Sequence, residues 1–560
     1  MNTTENKLIN IASLLEESAK KYPYRHAIVV PHGRDKNGKV SYTHYTFEQL
    51  WKETKIIAKA LNKYGITKGT KTVLMVKPSL DFIALVFALL AGGIVPVIID
   101  PGLGIKNLKV CISEVEPTAF IGITKAHIAR LIMGWGKETI NKFVTVGGKK
   151  LFWGGVTLEE LKASVNYNAD DYSIVKTDPE DIAAIVFTSG STGVPKGVVY
   201  NHKNFYAEVL TLRDTYDLKP GEVDLPTLPV FALFDPAWGV TSVIPDMDFT
   251  KPALVDPKKI IEAVEDFGVT HMFGSPALIN RVGRYGEENK VKLKSLKRVL
   301  SAGAPVPYKV LERFKKMLTD EAEVYTPYGA TECLPVTSMA TADILKETRF
   351  LTAEGKGVCI GRAVVGVDIK IIKISDDPIP TWDDNLIIKD GEIGEIVVKG
   401  DNVTQYYYNR KESTALAKIY EKDGKELRHR MGDLGYFDEQ GRIWFCGRKA
   451  HRVITENGTY FTIPCEAIYN THADVYRSAL VGAKINGKMT PVICIEVDQN
   501  SKNKNKDTIK KELLEIASKF DITKEIKYIL FNDSFPVDIR HNSKIFREKL
   551  AVWAEKELVK

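Results

Sequence analysis

Cysteine is scarce in this chain, and no two cysteines form a C-x-x-C pair. The six stand far apart, at Cys111, Cys333, Cys359, Cys446, Cys465 and Cys494. This spacing argues against a disulfide framework and against a zinc site built on paired cysteines, and it is typical of a reducing compartment. Residues 1–23 have an amphipathic pattern but lack the apolar core of a secretory signal, so a cytoplasmic protein is predicted.

Long apolar runs are also nearly absent. The one stretch that approaches membrane-spanning length is the run of 18 uncharged residues between Asp81 and Asp100. Gly92, Gly93 and Pro96 interrupt it. The run therefore predicts a buried helix over 82–91 and a buried strand over 94–99, rather than a membrane span.

The sequence has no concentrated basic patch, although its net charge is +7 and its pI is about 8.7. Lysines are spread along the whole chain, and no nucleic-acid-binding motif or internal repeat is present. We predict no nucleic-acid partner. The positive balance is favourable for ATP and for acyl carboxylates.

Apolar runs alternate with helical patterns through most of the chain before residue 447, as is typical of α/β architecture. The clearest strand patterns lie at 71–76, 182–187, 269–273 and 296–302. Strand patterns then crowd together at 369–374 and 395–399, and 435–445 predicts a hairpin about Gln440 and Gly441. The sequence thus predicts an α/β body followed by a β-rich subdomain.

The pattern changes at Gly447. Short strands are predicted at 479–481 and 492–497, with helices at 508–520 and 546–558. We predict two domains, a large amino-terminal α/β domain over 1–446 and a small, mobile α+β domain over 447–560.

Residues 188–197 read TSGSTGVPKG and follow the apolar run 182–187 directly. Glycines let a backbone approach phosphate, amides and hydroxyls donate hydrogen bonds, and lysine adds charge. A P-loop is excluded because Lys196 does not directly follow Gly193, and the kinase glycine pattern also fails. A polar turn is the alternative to a phosphate-binding loop. The candidate ligands are Thr188, Ser189, Gly190, Ser191, Thr192, Gly193 and Lys196.

This loop resembles the signature of the acyl-adenylating superfamily, which includes acyl-CoA synthetases, peptide-synthetase adenylation domains and luciferases. Further resemblances follow in the family's order, from about Leu14 to the carboxyl terminus. The resemblance implies ATP and Mg²⁺ as cofactors and a carboxylate as substrate. The implied first reaction forms an acyl adenylate and releases pyrophosphate.

Two motifs carry the resemblance between residues 301 and 332. Residues 301–305 (SAGAP) resemble the adenine-binding turn of the family, and residues 328–332 (YGATE) resemble its second signature. The resemblance implies adenine stacking by Tyr328, a hydrogen bond from Thr331 to the α-phosphate, and a carboxylate for Mg²⁺ from Glu332. The remaining nucleotide candidates in these motifs are Gly303, Ala304, Pro305 and Gly329.

Three single residues extend the resemblance. Asp433 stands in a Met-Gly-Asp sequence where the family usually has Thr-Gly-Asp, and it is implied to bind the ribose hydroxyls. Arg448 opens the hinge motif and is implied to contact ribose or phosphate. Lys544 aligns with the carboxy-terminal lysine that bridges the substrate carboxylate and the α-phosphate.

The hinge departs from the pattern of CoA ligases, because Ala450 replaces the charged hinge residue and Ile454 replaces the following lysine. The strings LPVFALFDPAWG, TPYGATECLPV, GRKAHRV and RHNSKIFREKLA resemble the olefin-pathway β-lactone synthetases instead. That resemblance implies a long-chain 2-alkyl-3-hydroxy acid, whose own hydroxyl attacks the acyl adenylate. His451 and His541 are candidate bases for this hydroxyl.

An aromatic group in 228–239 and 273–274 is predicted to line an acyl pocket, although such a cluster is also typical of a plain core. Its members are Phe231, Phe234, Trp238, Phe273 and Gly274. Within the same string, Asp235 either meets a substrate hydroxyl or caps a turn.

Several functions remain open on the sequence alone. Within adenylation, acyl-CoA ligation and fatty acyl-AMP ligation are alternatives to β-lactone formation. An ATP-sensing binding protein and a membrane-associated scaffold are the non-catalytic alternatives, but the set Lys196, Glu332, Asp433 and Lys544 favours catalysis. The oligomeric state, and association with other olefin-pathway enzymes, are also open.

Overall fold

Two mainly parallel sheets form the amino-terminal body of the computed structural model. The structure describes residues 10–166, 171–188, 195–499, 501, 505–537 and 545–559. The strands of these two sheets are β1 His26–Arg34, β2 Val40–Thr46, β3 Lys71–Met75, β4 Val95–Ile98, β5 Ala119–Ile123, β6 Lys142–Val146, β7 Val156–Thr157, β8 Ile182–Thr188, β9 Lys196–Asn201, β10 Val223–Pro226, β11 Thr241–Val243, β12 His271–Phe273, β13 Arg298–Leu300 and β14 Glu323–Tyr325.

The strand orders explain why most of the parallel strands are apolar. One sheet runs β7-β6-β5-β3-β4-β8-β9 and the other runs β14-β13-β12-β10-β11-β1-β2. All neighbours are parallel except β8 with β9 and β1 with β2. Parallel strands covered on both faces need apolar side chains throughout, which is the pattern in the sequence. The four clearest strand predictions, which correspond to β3, β8, β12 and β13, are confirmed.

The helices of this body pack on and between the sheets. They are α1 Ser13–Lys21, α2 Phe47–Tyr64, α3 Leu80–Ala91, α4 Ile105–Val115, α5 Thr124–Met133, α6 Leu158–Ala163, α7 His202–Tyr216, α8 Asp235–Trp238, α9 Pro257–Phe267, α10 Pro276–Asn289 and α11 Tyr308–Lys315. The largest core contains side chains of α1, α2 and α3 together with side chains of both sheets.

Helix α3 is the apolar run that approached membrane-spanning length. Ser79 caps its amino terminus, because its hydroxyl oxygen accepts a hydrogen bond from the Phe82 amide. All residues of the helix from Ile83 to Ala91 are buried. The chain then turns through Gly92 and Gly93 into β4, as predicted. Among the helices that the structure describes, none is both long enough and apolar enough to cross a membrane.

A third sheet is antiparallel and forms the predicted β-rich subdomain. Its order is β15-β16-β17-β22-β21-β19-β18, with β20 on β21. Its strands are β15 Tyr328–Ala330, β16 Cys333–Ser338, β17 Val358–Ala363, β18 Asp368–Ile372, β19 Gly394–Lys399, β20 Lys418–Tyr420, β21 Leu427–Phe437 and β22 Ile443–Arg448. The helices in this region are α12 Thr341–Asp343, α13 Arg349–Ala353 and α14 Lys411–Ala417. Gly435 pairs with Phe445 in the predicted hairpin.

The carboxy-terminal part is a smaller α+β unit, which completes the predicted fold class. Its strands are β23 Val453–Thr455, β24 Gly458–Tyr460, β25 Val475–Ile485, β26 Lys488–Val497 and β27 Tyr528–Phe531. Its helices are α15 Thr462–Tyr469, α16 Lys506–Ser518 and α17 Arg547–Val559. Strand β22 ends at Arg448 in the body, and a single 3-10 turn, Lys449–His451, leads into this unit.

Candidate active site

Several predicted site residues lie where strands of the body end. Thr188 ends β8, and the turn with Gly303, Ala304 and Pro305 follows β13 closely. In sheets of parallel strands, ligands bind in the crevice outside the carboxyl ends of the strands. Gly303 has a φ of +99°, a backbone conformation that glycine adopts without strain.

The glycine-rich loop leads into a strand. Lys196 begins β9, which pairs antiparallel with β8. The ligand candidates Ser189, Gly190, Ser191, Thr192 and Gly193 lie outside the described residues. Thr188 and Lys196, the described candidates on either side, are cross-strand partners.

Tyr407 joins Lys196 to Glu332. Its hydroxyl donates a hydrogen bond to Glu332 Oε1 at 2.6 Å. The Lys196 ammonium lies 4.9 Å from the centroid of the same ring. Burial and the nearby Glu332 charge raise the pKa of Tyr407 above its ordinary value. The Tyr407 hydroxyl therefore stays protonated and can donate to the Glu332 carboxylate. Sequence reasoning missed this residue, which stands in a run of three tyrosines.

The backbone of Thr331 and Glu332 is held from two sides. The Tyr200 hydroxyl donates to the Thr331 carbonyl at 2.6 Å. The Thr404 amide and the Thr404 hydroxyl both donate to the Glu332 carbonyl, at 2.9 and 3.2 Å. These contacts fix the short turn between β15 and β16 that presents both predicted side chains.

Gly329 lies in β15, close to the backbone of β16 at Cys333. A Cβ at this position would lie 2.8 Å from the Cys333 carbonyl oxygen, which is too close for any side chain. The glycine is therefore required by the packing of the β15–β16 hairpin itself.

Asp433 is a buried carboxylate, only 2% exposed, with two neighbours. The Tyr328 hydroxyl donates to Asp433 Oδ2 at 2.6 Å, and Arg448 Nη1 lies 3.0 Å from Oδ1. Burial raises the pKa of Asp433, while Arg448 opposes that increase. Within the described residues Oδ1 accepts no hydrogen bond of good geometry, so it is available to a hydroxyl donor.

The predicted acyl-pocket residues divide into two groups. Phe234 and Trp238 are buried and stacked at 5.7 Å, and the Trp238 indole donates to the Val209 carbonyl. Phe231 and Phe273 are half-buried, with ring centroids 4.5 Å apart. The first pair is anchored in the core. The second pair lies closer to the surface, with Phe273 at the end of β12 and Phe231 in a 3-10 turn after β10.

Gly274 follows Phe273 and is buried. A Cβ there would lie 2.8 Å from the Ile279 side chain on α10. This position therefore accommodates the close packing of α10 against the strand end.

Asp235 does not face the surface. It is fully buried at the start of α8, in a polar cluster with Asp224, Ser242 and His271. His271 Nε2 lies 3.7 Å from Asp224 Oδ1. Neither carboxylate oxygen of Asp235 accepts a hydrogen bond from a described residue. Burial raises the pKa of Asp235 to about 7 and that of Asp224 well above its ordinary value, while burial lowers the pKa of His271 to about 3.

The turn after β22 is held by a carboxylate that sequence reasoning missed. Glu395 is fully buried on β19 and accepts a hydrogen bond from Arg430 at 2.6 Å. The Lys449 ammonium lies 3.0 Å from the other oxygen of Glu395 and donates to the Ser375 carbonyl at 2.7 Å. Ala450 and His451 complete the same turn.

Two candidates, Lys544 and His541, lie outside the described residues. The structure does describe the residues directly after them. Arg547 begins α17, and its guanidinium forms a two-point contact with the buried Glu466 carboxylate. Glu466 also accepts the Leu480 amide, so the start of α17 is anchored to β25.

Known proteins resemble this chain in sequence and in fold. Residues 15–408 match the family model described as AMP-binding enzyme. The chain is 45% identical to the olefin beta-lactone synthetase of Xanthomonas campestris pv. campestris, over 99% of this chain and 98% of that protein. It is also 45% identical to the protein of the same name from Stenotrophomonas maltophilia, over 99% of this chain and 100% of that one. The ATP-bound MatB structure from Rhodopseudomonas palustris aligns with a TM-score of 0.77 at 19% identity, covering 98% and 99% of the two chains.

Proposed function

The chain belongs to the AMP-binding enzyme family, and we propose that it converts a long-chain 2-alkyl-3-hydroxy fatty acid into a β-lactone at the expense of ATP. The observation that carries the proposal is the near-full-length identity of 45% to two olefin beta-lactone synthetases. The same identity supports the adenylate-forming class of ligase, in which a carboxylate is activated before a nucleophile attacks it.

The nucleotide would lie beside the turn after β13, the hairpin that starts with β15, and Asp433 within β21. Asp433 Oδ1 is a buried acceptor without a hydrogen bond among the described residues, so it would take a ribose hydroxyl, with Arg448 beside it. The Gly303–Pro305 turn would receive the adenine edge, next to Tyr328. Lys196 and the loop that precedes it would hold the phosphates.

Magnesium fits the residues that are present. Among the described residues no three His, Cys, Asp or Glu side chains cluster closely enough to hold a metal by themselves. Mg²⁺ commonly binds through one or two carboxylates together with substrate phosphates, and the half-buried Glu332 would supply that carboxylate. When bound, Mg²⁺ neutralises charge on the phosphate oxygens. Tyr407 would orient the Glu332 carboxylate for this purpose.

In the first step, a carboxylate oxygen of the substrate attacks the α-phosphorus of ATP, and the bond from that phosphorus to the bridging oxygen of pyrophosphate breaks. Thr331 would donate to an α-phosphate oxygen, and Lys544 would neutralise the charge that gathers between the two anions. Fixed donors and charges of this kind each account for about 10²-fold or more in rate.

In the second step, the 3-hydroxyl oxygen attacks the activated acyl carbon, the hydroxyl proton passes to a base, and AMP leaves. The ring closes within one molecule, so no second substrate has to be admitted through the hinge. This fits a hinge with Ala450 in place of a charged residue. His451 and His541 are the proposed bases.

The half-buried Phe231 and Phe273 would contact the alkyl chains, while Phe234 and Trp238 would support that wall from the core. We also propose that the chain divides into two domains near residue 447 and that the part after β22 moves as a lid. The transition from β22 into the Lys449–His451 turn supports this boundary.

Product analysis by mass spectrometry tests the proposal. The protein would be incubated with MgATP and a racemic 2-alkyl-3-hydroxy fatty acid, with and without CoA. We expect a lactone lighter than the acid by one water, formed with AMP and pyrophosphate and independent of CoA. An acyl-CoA that appears only with CoA, without any lactone, would refute β-lactone formation and assign a long-chain acyl-CoA ligase. An accumulating acyl adenylate would assign a fatty acyl-AMP ligase.

A further inference from the structure

A buried lysine lies behind the proposed magnesium ligand. Lys418 begins β20, and it is only 1% exposed, which makes it one of the largest fully buried side chains of the protein. Burying an ammonium without a counter-ion costs much free energy. Lys418 forms no ion pair with any described residue; its ammonium instead donates to the Thr404 carbonyl.

Thr404 transmits this contact to Glu332. The ammonium of Lys418 also lies 3.5 Å from the Thr404 hydroxyl oxygen, which leaves the hydroxyl proton free to be donated elsewhere. That hydroxyl and the Thr404 amide both donate to the Glu332 carbonyl, at 3.2 and 2.9 Å. A continuous chain of hydrogen bonds thus runs from a buried charge to the backbone of the proposed metal ligand.

Three buried titratable groups define the electrostatics around Thr404. Burial lowers the pKa of Lys418 to about 8, and the Glu332 charge opposes that decrease. Glu208 on α7 is also buried, and burial raises its pKa to about 8. His429 is the cross-strand partner of Lys418, and burial drives its pKa well below its ordinary value. Near pH 7 the lysine is therefore charged, whereas Glu208 and His429 are mainly neutral.

We propose that Lys418 is a positioning residue for Glu332: its ammonium fixes Thr404, and Thr404 fixes the turn from which the Glu332 carboxylate meets the magnesium ion of MgATP. The inference rests on the proposed role of Glu332. Partners that orient a metal ligand commonly affect metal affinity by about 10–100-fold when they are removed.

A purely structural lysine would behave differently. Its removal would lower thermal stability but would leave the dependence of ATP binding on magnesium unchanged. The informative quantity is therefore the ratio of ATP affinities with saturating Mg²⁺ and with EDTA, measured by calorimetry on the full-length protein. This ratio requires no turnover.

Three variants make the comparison. Lys418→Met keeps the shape of the side chain and removes the charge, and Thr404→Val removes only the hydroxyl. Lys399→Met is the matched control, because Lys399 is a half-exposed lysine at the end of β19 that pairs with Glu421 and Glu426, on the same sheet.

We expect Lys418→Met to reduce the magnesium-dependent gain in ATP affinity by about 10-fold or more. Thr404→Val should reduce this gain by a smaller factor. Lys399→Met should leave the gain unchanged. An unchanged gain in a folded Lys418→Met protein, or an equal loss with Mg²⁺ and with EDTA, would overturn the inference. If Lys418→Met does not fold, an unchanged gain in Thr404→Val overturns it. Wild-type protein that binds MgATP but forms no lactone would refute the proposed function alone.

Discussion

Replacing Asp235 by asparagine should change how stability depends on pH. Asp235 and Asp224 are both buried, and like charges in a buried site cannot both ionise without a large cost. The polar and charged groups near the pair are Glu222, Ser242, His271 and Arg298. Arg298 forms an ion pair with Glu222, and His271 stays neutral because burial lowers its pKa. The carboxyl pair is thus left without a dedicated cation among the described residues.

The sign follows from the direction of the pKa change. Burial raises the pKa of Asp235 from 3.8 to about 7, so the folded protein binds more protons than the unfolded chain between these two values. Stability is therefore greatest below about pH 4 for this group and falls as the pH rises to about 7. Across that interval the loss of stability is on the order of a few kcal/mol. Asparagine cannot ionise and removes this dependence.

The assay is the thermal midpoint of wild-type and variant protein at several pH values from 5 to 8. We expect Asp235→Asn to gain stability relative to wild type as the pH rises. Asp214→Asn is the control, because Asp214 is half-exposed and pairs only with Arg213 in the described structure. A difference in thermal midpoint between Asp235→Asn and wild type that stays constant from pH 5 to pH 8 would show that the pKa of Asp235 is not raised by burial.

Three further predictions concern the site and its support. Tyr407→Phe removes a hydrogen bond to the Glu332 carboxylate, worth about 1.5–3 kcal/mol. It should therefore lower the rate of pyrophosphate release about 10–100-fold at limiting Mg²⁺. An undiminished rate would show that Tyr407 does not support the proposed magnesium site. Asp433→Asn should weaken AMP binding by about 10-fold, measured by calorimetry, because it replaces a carboxylate acceptor. A wild-type affinity would show that the ribose does not bind at Asp433. Gly274→Ala should lower the thermal midpoint by the equivalent of about 1–3 kcal/mol. Gly283→Ala within α10 is the control and should not lower it, because a Cβ at Gly283 would have ordinary contact distances. Equal effects of the two substitutions would contradict the packing argument.

The body of the fold was predictable because its strands follow simple patterns. A fully apolar run such as β8 or α3 leaves few alternatives to a buried element, and the Gly435–Phe445 hairpin combines aromatic strands with a glycine turn. The antiparallel return of β9 was not foreseen, since a glycine-rich loop after a buried strand more often leads into a helix.

The described part of the candidate site was predictable only where motifs are contiguous. Tyr328 and Glu332 stand within one short signature, but Tyr407 reaches Glu332 from 75 positions away through the order of strands. Lys418 carries no local signal at all, because a lysine next to an isoleucine in a short strand is normally expected at the surface. The sequence around Asp235 predicts a substrate contact or a turn cap, whereas the residue is buried near Asp224 on β10 and His271 on β12, which lie far away along the chain.

The carboxylate of Glu395 holds one cation from the body, Arg430, and one from the turn after β22, Lys449. If the proposed lid rotates and withdraws Lys449, the buried carboxylate remains paired with Arg430. Removing the sole partner of a buried charge is strongly destabilising, whereas removing one of two partners is less so. The Glu395 contacts therefore add little to the free-energy difference between two lid orientations. The turn after β22 can change its orientation without disrupting the antiparallel sheet that ends at this turn.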